Sequence, residues 1–278
     1  MTLPGVTVLR TEGVEIDGGR LEFDVAGEGP AIVLLHPGLW ARRTWDDQFD
    51  VFSKDHRVLR YDARGYGRSS RPEPGRPYSP VEDLAGVMDA AGLERAALLG
   101  CSMGGMVALD FALAHRERST ALVLAAPGVS GMEEGTPEEE AWWEEHQRPV
   151  EEAIEAGDLE KAEDLRLSTM WAMLGTTGPA GARIRQIAFD NLHELTMDES
   201  GRRDLDPPAI DRLGEVGVPT LVLPSDHDPP ETERVCRLLA EQIPNARLVQ
   251  IPGVDHVVNM RKPAEFNDVV LTFLGEVL

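Results

Sequence analysis

Short apolar runs recur along the chain, and turn residues bound each of them. The stretch 21–36 contains two such runs joined by the turn residues Gly27 to Pro30, a pattern that predicts two β-strands. Further apolar runs predict strands at 56–62, 96–101, 120–128, 219–225 and 246–252. Apolar strands that alternate with helices are typical of a mostly parallel sheet covered on both faces.

Between the strands, apolar residues follow the spacing of helices. The stretch that begins "SPVEDL" has Ser79, Pro80 and Glu82 at its start, which predicts a helix that opens with a capping box. Other helices are predicted at 103–115, at 231–242 and after Pro263. In this last helix one face is apolar, formed by Phe266, Val269, Val270 and Phe273.

The alternation of strands and helices breaks after Gly128 and resumes at 219–225. Residues 131–208 have helical spacing and contain no convincing strand. We therefore predict a doubly wound α/β core formed by residues 1–130 and 209–278. Residues 131–208 would form a helical cap inserted into it.

Composition narrows the function classes. The chain has 278 residues, of which 42% are hydrophobic and 27% charged, and a formal net charge of −22. Such an acidic chain argues against binding to nucleic acid or to anionic lipid, both of which favour a basic surface. The charge is typical of a solvated acidic surface. We expect a small-molecule partner, with neither nucleic acid nor membrane, and leave a homodimer open.

The compartment can be predicted from what the sequence contains. Its two cysteines, Cys101 and Cys236, do not make a disulfide framework. No apolar run has the length of a membrane span, and the first residues lack the pattern of a signal peptide. We therefore expect a reduced, cytoplasmic protein.

A sharp turn from strand to helix marks the first candidate for chemistry. Between the strand that ends near Leu99 and the helix that begins near Met103 lies the pattern Gly-x-Ser-x-Gly, with Ser102 at its apex. Gly100 and Gly104 have no Cβ atoms, so strand and helix can approach closely. This pattern is typical of a nucleophile elbow, which exposes a serine hydroxyl at the carboxyl edge of a sheet.

A serine needs a base, and the base needs a carboxylate. Of seven histidines, His256 is the candidate, since it lies in the loop between the last strand and the last helix, at the same edge as Ser102. Asp226 and Asp228 both follow the strand 219–225, and either could orient the imidazole. The single histidine between them matches no recognised metal site, so we expect no metal.

With these motifs the chain resembles the α/β-hydrolase superfamily over nearly everything from residue 20 onward. The stretches "HPGLWARRTWDDQ", "YDARGYGRSS", "GCSMGG", "VPTLVLPSDHD" and "PGVDHVV" fall where that family has its motifs. The resemblance implies a cap after the sixth strand of that family, to which 120–128 corresponds here, and a triad of Ser102, Asp228 and His256, with no cofactor. Ser225 replaces the glycine that the family commonly has three residues before the acid.

The resemblance also implies an oxyanion hole, which stabilises the negative charge of the tetrahedral intermediate. One donor would be the backbone N–H of Met103. The family usually has His-Gly where this chain has His36 and Pro37, and Pro37 has no N–H to donate. Alignment then gives Gly38 as the second donor, with Leu39 as the substitute, while His36 is expected to brace the loop.

Aromatic residues of the predicted cap suggest an apolar pocket. The candidates for contact with a substrate are Trp143 and Trp171 of this cap, together with Leu39 and Trp40 of the loop after the strand that ends at residue 36. We expect a serine hydrolase acting on a carboxylic ester or related acyl bond of a small, moderately apolar molecule, through an acyl-enzyme. A carbon–carbon bond hydrolase, a cofactor-free perhydrolase and a slow-turnover ligand receptor remain alternatives on the same triad.

Overall fold

The computed structural model describes residues 9–132 and 135–278. Within them, eight strands form one sheet: β1 (Arg10–Ile16), β2 (Gly19–Ala26), β3 (Ala31–Leu35), β4 (Arg57–Tyr61), β5 (Ala96–Cys101), β6 (Ser119–Ala125), β7 (Thr220–Leu223) and β8 (Ala246–Leu248). Their spatial order is β1-β2-β4-β3-β5-β6-β7-β8. The pairs β1–β2 and β2–β4 are antiparallel, and all other neighbouring strands in this sheet are parallel. The predicted mostly parallel sheet is therefore confirmed.

Helices cover both faces of this sheet. They are α1 (Asp46–Phe52), α2 (Pro80–Ala90), α3 (Met103–Ala114), α4 (Pro137–Glu155), α5 (Leu159–Arg166), α6 (Gly178–Phe189), α7 (Glu231–Gln242), α8 (Val258–Arg261) and α9 (Pro263–Val277). In β3, Val33 and Leu35 face the core shared with α2 and α3, whereas Ile32 and Leu34 face the core shared with α1 and α9. Both sides of the strand are apolar because both are buried.

Most predicted elements are present, but some of their details differ. The helix α7 has the predicted bounds, while β8 ends at Leu248 rather than at residue 252. The helix α2 begins at Pro80 as predicted, yet the capping box is wrong, since Ser79 makes no side-chain cap bond. Glu82 lies instead 3.0 Å from the Nε2 atom of His115. Strand β1, paired with β2 in a hairpin, was not predicted.

The helices α4, α5 and α6 lie between β6 and β7 in the chain. We call residues 135–208, which contain them, the cap. A turn of π-helix at Leu167–Trp171 follows α5. The cap contacts the rest of the chain directly, since the Trp40 indole donates to the Ile184 carbonyl at 3.0 Å and Arg234 of α7 pairs with Glu139 of α4. Among the described residues, no helix combines the length and apolarity needed to cross a membrane.

Candidate active site

Ser102 sits in a backbone conformation that non-glycine residues seldom adopt. Its φ is 52° and its ψ is −117°, in the left-handed half of the map, where an L-residue is strained. The surrounding chain holds it there. The Ser102 N–H donates to the Ala125 carbonyl at the end of β6, and the Ser102 carbonyl accepts from Gly128 N–H at 3.1 Å.

The two glycines of the motif allow this turn. A Cβ atom on Gly100 would overlap the Gly104 carbonyl, and one on Gly104 would overlap the Leu35 carbonyl of β3. The start of α3 can therefore lie directly against the ends of β5 and β3. The close approach predicted for Gly100 and Gly104 is present.

The histidine and one aspartate of the sequence analysis meet at the same edge. His256 Nδ1 lies 2.9 Å from each carboxylate oxygen of Asp228, and both side chains are almost fully buried. The Ser225 hydroxyl donates to the same carboxylate. The Cys101 thiol lies 3.3 Å from the His256 carbonyl, so the residue before Ser102 contacts the histidine loop.

Asp226, the other acid that the sequence left open, points to a different partner. Its oxygens accept the backbone N–H groups of Gly253 and Val254 at 2.7 and 2.8 Å. Burial alone would raise the pKa of Asp226, but these donated hydrogen bonds outweigh it and lower the pKa. Asp226 thus fixes the loop that carries His256, and Asp228 contacts the imidazole.

The loop after β3 approaches the start of α3. Met103 is the first residue of α3, where helical N–H groups have no partner within the helix. Leu39 has a φ of 68°, and the partly exposed Gly38 precedes it. His36 is buried, with its Nδ1 atom 2.8 Å from the Pro37 carbonyl and its Nε2 atom accepting the Ala63 N–H.

The environment of His36 indicates a neutral, structural imidazole. Burial lowers the pKa of His36, and both of its ring nitrogens are already engaged with the backbone. A neutral ring with Nδ1–H donating and Nε2 accepting satisfies both contacts. His36 therefore ties the β3 loop to the loop after β4.

The four residues predicted to contact a substrate divide into two groups. The Trp171 ring lies against His256, with ring centroids 4.4 Å apart, and Trp143 packs on Trp171 at 5.7 Å; both indoles are partly exposed. Leu39 and Trp40, by contrast, belong to a buried cluster between core and cap, and Trp40 has no exposed surface. Its burial places Trp40 in the packing of the cap against the core.

An ion pair that the sequence analysis missed links the cap to the histidine loop. Asp255, fully buried beside His256, pairs with Arg261 at 2.9 Å and accepts the Leu174 N–H at 3.2 Å. Arg261 donates to the Gly175 carbonyl at 2.8 Å. Residues 174 and 175 lie far from this loop in the chain, so no local spacing could signal the contact.

Comparison with known proteins agrees with this architecture. A model of the Alpha/beta hydrolase family matches residues 32–269. A Bacillus subtilis (strain 168) protein, provisionally named a 2-succinyl-6-hydroxy-2,4-cyclohexadiene-1-carboxylate synthase, is 28% identical; the match covers 94% of this chain and 97% of that protein.

Two solved structures are similar over nearly the whole chain. A hydrolase from Pseudomonas aeruginosa PA01 is 30% identical with a TM-score of 0.78, covering 96% of this chain and 98% of that one. The enol-lactonase from Burkholderia xenovorans LB400 is 26% identical with a TM-score of 0.73, covering 95% and 100%. This chain belongs to the alpha/beta hydrolase family and is a hydrolase.

Proposed function

We propose that the protein hydrolyses carboxylic esters or lactones of small, moderately apolar molecules through an acyl-enzyme on Ser102. The observation that carries the proposal is the pair formed by His256 Nδ1 and Asp228 at 2.9 Å, at the sheet edge where a strained serine occupies a strand–helix turn. A buried carboxylate on Nδ1 keeps the proton there, which leaves Nε2 free to act as a base.

The chemistry then runs in two halves. His256 Nε2 takes the Ser102 hydroxyl proton as Oγ bonds to the carbonyl carbon, and the carbonyl electrons move to its oxygen. The intermediate collapses, the bond from carbon to the leaving oxygen breaks, and His256 returns the proton to the departing alcohol. Water repeats the sequence on the acyl-enzyme, releases the acid and restores Ser102. No cofactor or metal enters these steps.

Backbone N–H groups would stabilise the oxyanion. The Met103 N–H, at the open N-terminus of α3, is one donor, and Gly38 supplies the second, with Leu39 as the substitute. Each such donor is worth about 3–4 kcal/mol of transition-state stabilisation. The Ala63 N–H to His36 hydrogen bond holds this loop in place, which fits a preorganised site.

The side chains next to His256 indicate the class of substrate. Trp171 and Trp143 have partly exposed aromatic surface next to His256. Contact with such a surface favours the binding of apolar substituents by about 0.8 kcal/mol for each CH₂ group that is buried. The similar protein from Burkholderia xenovorans LB400 is an enol-lactonase, which supports the inclusion of lactones. Trp40, which is fully buried, is not part of this surface.

The test is to label and to remove the nucleophile. A fluorophosphonate probe should label the wild-type protein at Ser102, and Ser102→Ala should lower kcat by about 10⁴-fold or more with p-nitrophenyl esters. Ser168→Ala, a change at an exposed serine of the cap, is the matched control and should keep full activity. Labelling at another residue, or an active Ser102→Ala variant, would contradict the proposal.

A further inference from the structure

We propose that the hydroxyl of Tyr66 is a specificity determinant that donates a hydrogen bond to an oxygen atom in the acyl part of the substrate. The inference rests on the proposed function and extends it. It selects, among neutral esters and lactones, those with an ether, hydroxyl or ring oxygen one or two atoms from the scissile carbonyl.

The position of the hydroxyl is the first observation. A Cβ atom built on Gly38 would lie 3.9 Å from Tyr66 Oη, so this oxygen faces the proposed oxyanion loop at van der Waals distance. The Tyr66 ring packs edge-on against His36, with centroids 5.2 Å apart. Tyr66 also lines a cavity that it shares with Met103 and Gly104 at the start of α3.

The second observation is that none of the hydrogen bonds formed within residues 9–132 and 135–278 uses this hydroxyl, although Tyr66 is only 6% exposed. The oxygen keeps accessible surface, since it is not one of the fully buried polar atoms that lack a partner among these residues. It is therefore a donor that a ligand oxygen can reach. Burial, with the Glu194 and Glu199 carboxylates, raises the pKa of the Tyr66 phenol, so the group stays a neutral donor.

The third observation is that the turn carrying Tyr66 is held from both sides. His193 of the cap contacts the Gly65 carbonyl at 2.9 Å, and Asn191 of the cap accepts the Gly67 N–H at 2.7 Å. Asp62 accepts the Arg68 N–H from the core side. A donor held this rigidly loses little entropy when it binds a ligand.

The sheet order assigns the hydroxyl to the acyl side. His256 and Asp228 follow β8 and β7 on one side of β5, whereas the Gly38 and Tyr66 loops follow β3 and β4 on the other. Because His256 must reach the leaving oxygen, the leaving group lies toward β7 and β8. The acyl group is then left beside Tyr66.

Two nearly isosteric esters test this assignment, p-nitrophenyl methoxyacetate and p-nitrophenyl butanoate, which differ by an oxygen in place of a CH₂. The measured quantity is the ratio of their kcat/KM values. Tyr66→Phe should lower the ratio, methoxyacetate over butanoate, by roughly threefold to tenfold, the worth of one neutral hydrogen bond.

Tyr78→Phe is the matched control, because Tyr78 lines the same cavity but its hydroxyl already donates to Glu199 at 3.3 Å. It should leave the ratio at the wild-type value. An unchanged ratio in Tyr66→Phe, or an equal fall in Tyr78→Phe, would overturn the proposal. Thermal melting should show Tyr66→Phe folded, since the variant removes a hydroxyl without a partner in the described chain.

A second pair of substrates tests the side of the site. The esters 2-methoxyethyl butanoate and butyl butanoate carry the same oxygen-for-carbon exchange in the alcohol part, and their ratio should not respond to Tyr66→Phe. A response confined to this pair would overturn the acyl-side assignment. Ser102→Ala separates the two proposals, since activity that survives in that variant refutes the triad whatever the Tyr66 ratio shows.

Discussion

Asp226 and Asp228 are two residues apart but have different hydrogen-bond partners in this site. Asp228 contacts the His256 imidazole with both oxygens at 2.9 Å. The two carboxylate oxygens of Asp226 instead accept hydrogen bonds from the backbone N–H groups of residues 253 and 254. Two residues of the same type therefore hold the histidine and its loop separately.

Asp228→Asn should lower kcat/KM for a p-nitrophenyl ester at least about tenfold more than Asp226→Asn. An amide at 228 can no longer hold the proton on Nδ1 or stabilise the imidazolium, which is the function of the acid in this chemistry. Asp226→Asn should act through loop order instead. Steady-state kinetics of the two variants, with thermal melts as the folding control, decide the matter; a larger loss in Asp226→Asn would reverse the assignment.

The residues alone predict the turn at Ser102, whereas the choice of Asp228 over Asp226 rests on the family resemblance. A serine that is flanked by glycines and lies between an apolar strand and a helix forms its turn from neighbouring residues, so the turn can be recognised in the sequence. The partner of each aspartate depends on how the loop after β7 folds against residues 253–256. Ser225, which replaces the expected glycine, adds a hydroxyl to Asp228, a contact that only the folded loop shows.

At the scale of elements, the cap contains a buried acid that makes stability depend on pH. Glu163 of α5 is 1% exposed, and neither of its oxygens accepts a hydrogen bond from the described residues. The Arg166 guanidinium lies 3.3 Å from Glu163 and also pairs with Glu194. Burial raises the pKa of Glu163 from 4.5 to about 7, and the Arg166 guanidinium only partly opposes this.

The sign of the effect follows from the raised pKa. Between pH 4.5 and 7 the folded state keeps a proton that the unfolded chain releases, so the free energy of unfolding falls as the pH rises through this range. Glu163→Gln should remove that slope and shrink the difference in unfolding free energy between pH 5.5 and pH 8 by about 2 kcal/mol.

Urea unfolding of the wild type and of Glu163→Gln at the two pH values measures this difference. Glu160→Gln, at an exposed position of the same helix, is the control and should keep the wild-type pH dependence. An identical pH dependence in Glu163→Gln and wild type would mean that Glu163 ionises in the folded cap without penalty.

The predicted elements also show where sequence patterns mislead. Ser79, Pro80 and Glu82 match a capping box, yet Glu82 contacts His115 instead. The box is formed at Thr136 and Glu139, where both reciprocal hydrogen bonds are present, and the letters "TPEE" carry the same signal. The Glu82 carboxylate bonds a distant partner, whereas the Glu139 carboxylate bonds both its own helix start and Arg234 of α7, so tertiary packing decides whether the box forms.

Strand β1 was missed for a related reason. Its sequence "RTEGVEI" is largely polar, and its residues are exposed or half-buried, because it is the edge strand of the sheet. Central strands such as β5, buried along their whole length, give the apolar runs that sequence analysis detects. Edge strands need less apolar surface, so their pattern is weak.

At the scale of the whole molecule, charge should select among substrates. The chain carries a formal net charge of −22, and the arginines near the site are already paired: Arg261 with Asp255, Arg166 with Glu194, and Arg202 with Asp204. These pairs leave the acidic field uncompensated at the approach to the site. A cleft focuses such a field and lowers the local concentration of anions.

We therefore expect p-nitrophenyl pentanoate to exceed p-nitrophenyl hemisuccinate in kcat/KM at low salt. The two acyl groups are similar in length, but the second ends in a carboxylate that the acidic cleft repels. The preference should shrink as the salt concentration rises, because the Debye length falls from about 30 Å at 0.01 M to about 10 Å at 0.1 M. The part of the preference that survives high salt would report the apolar wall at Trp171 and Trp143 rather than the field. If the carboxylate-bearing ester is preferred at both salt concentrations, the pocket must present a cation to the substrate, and the ion pairs that now hold these arginines would have to open during binding.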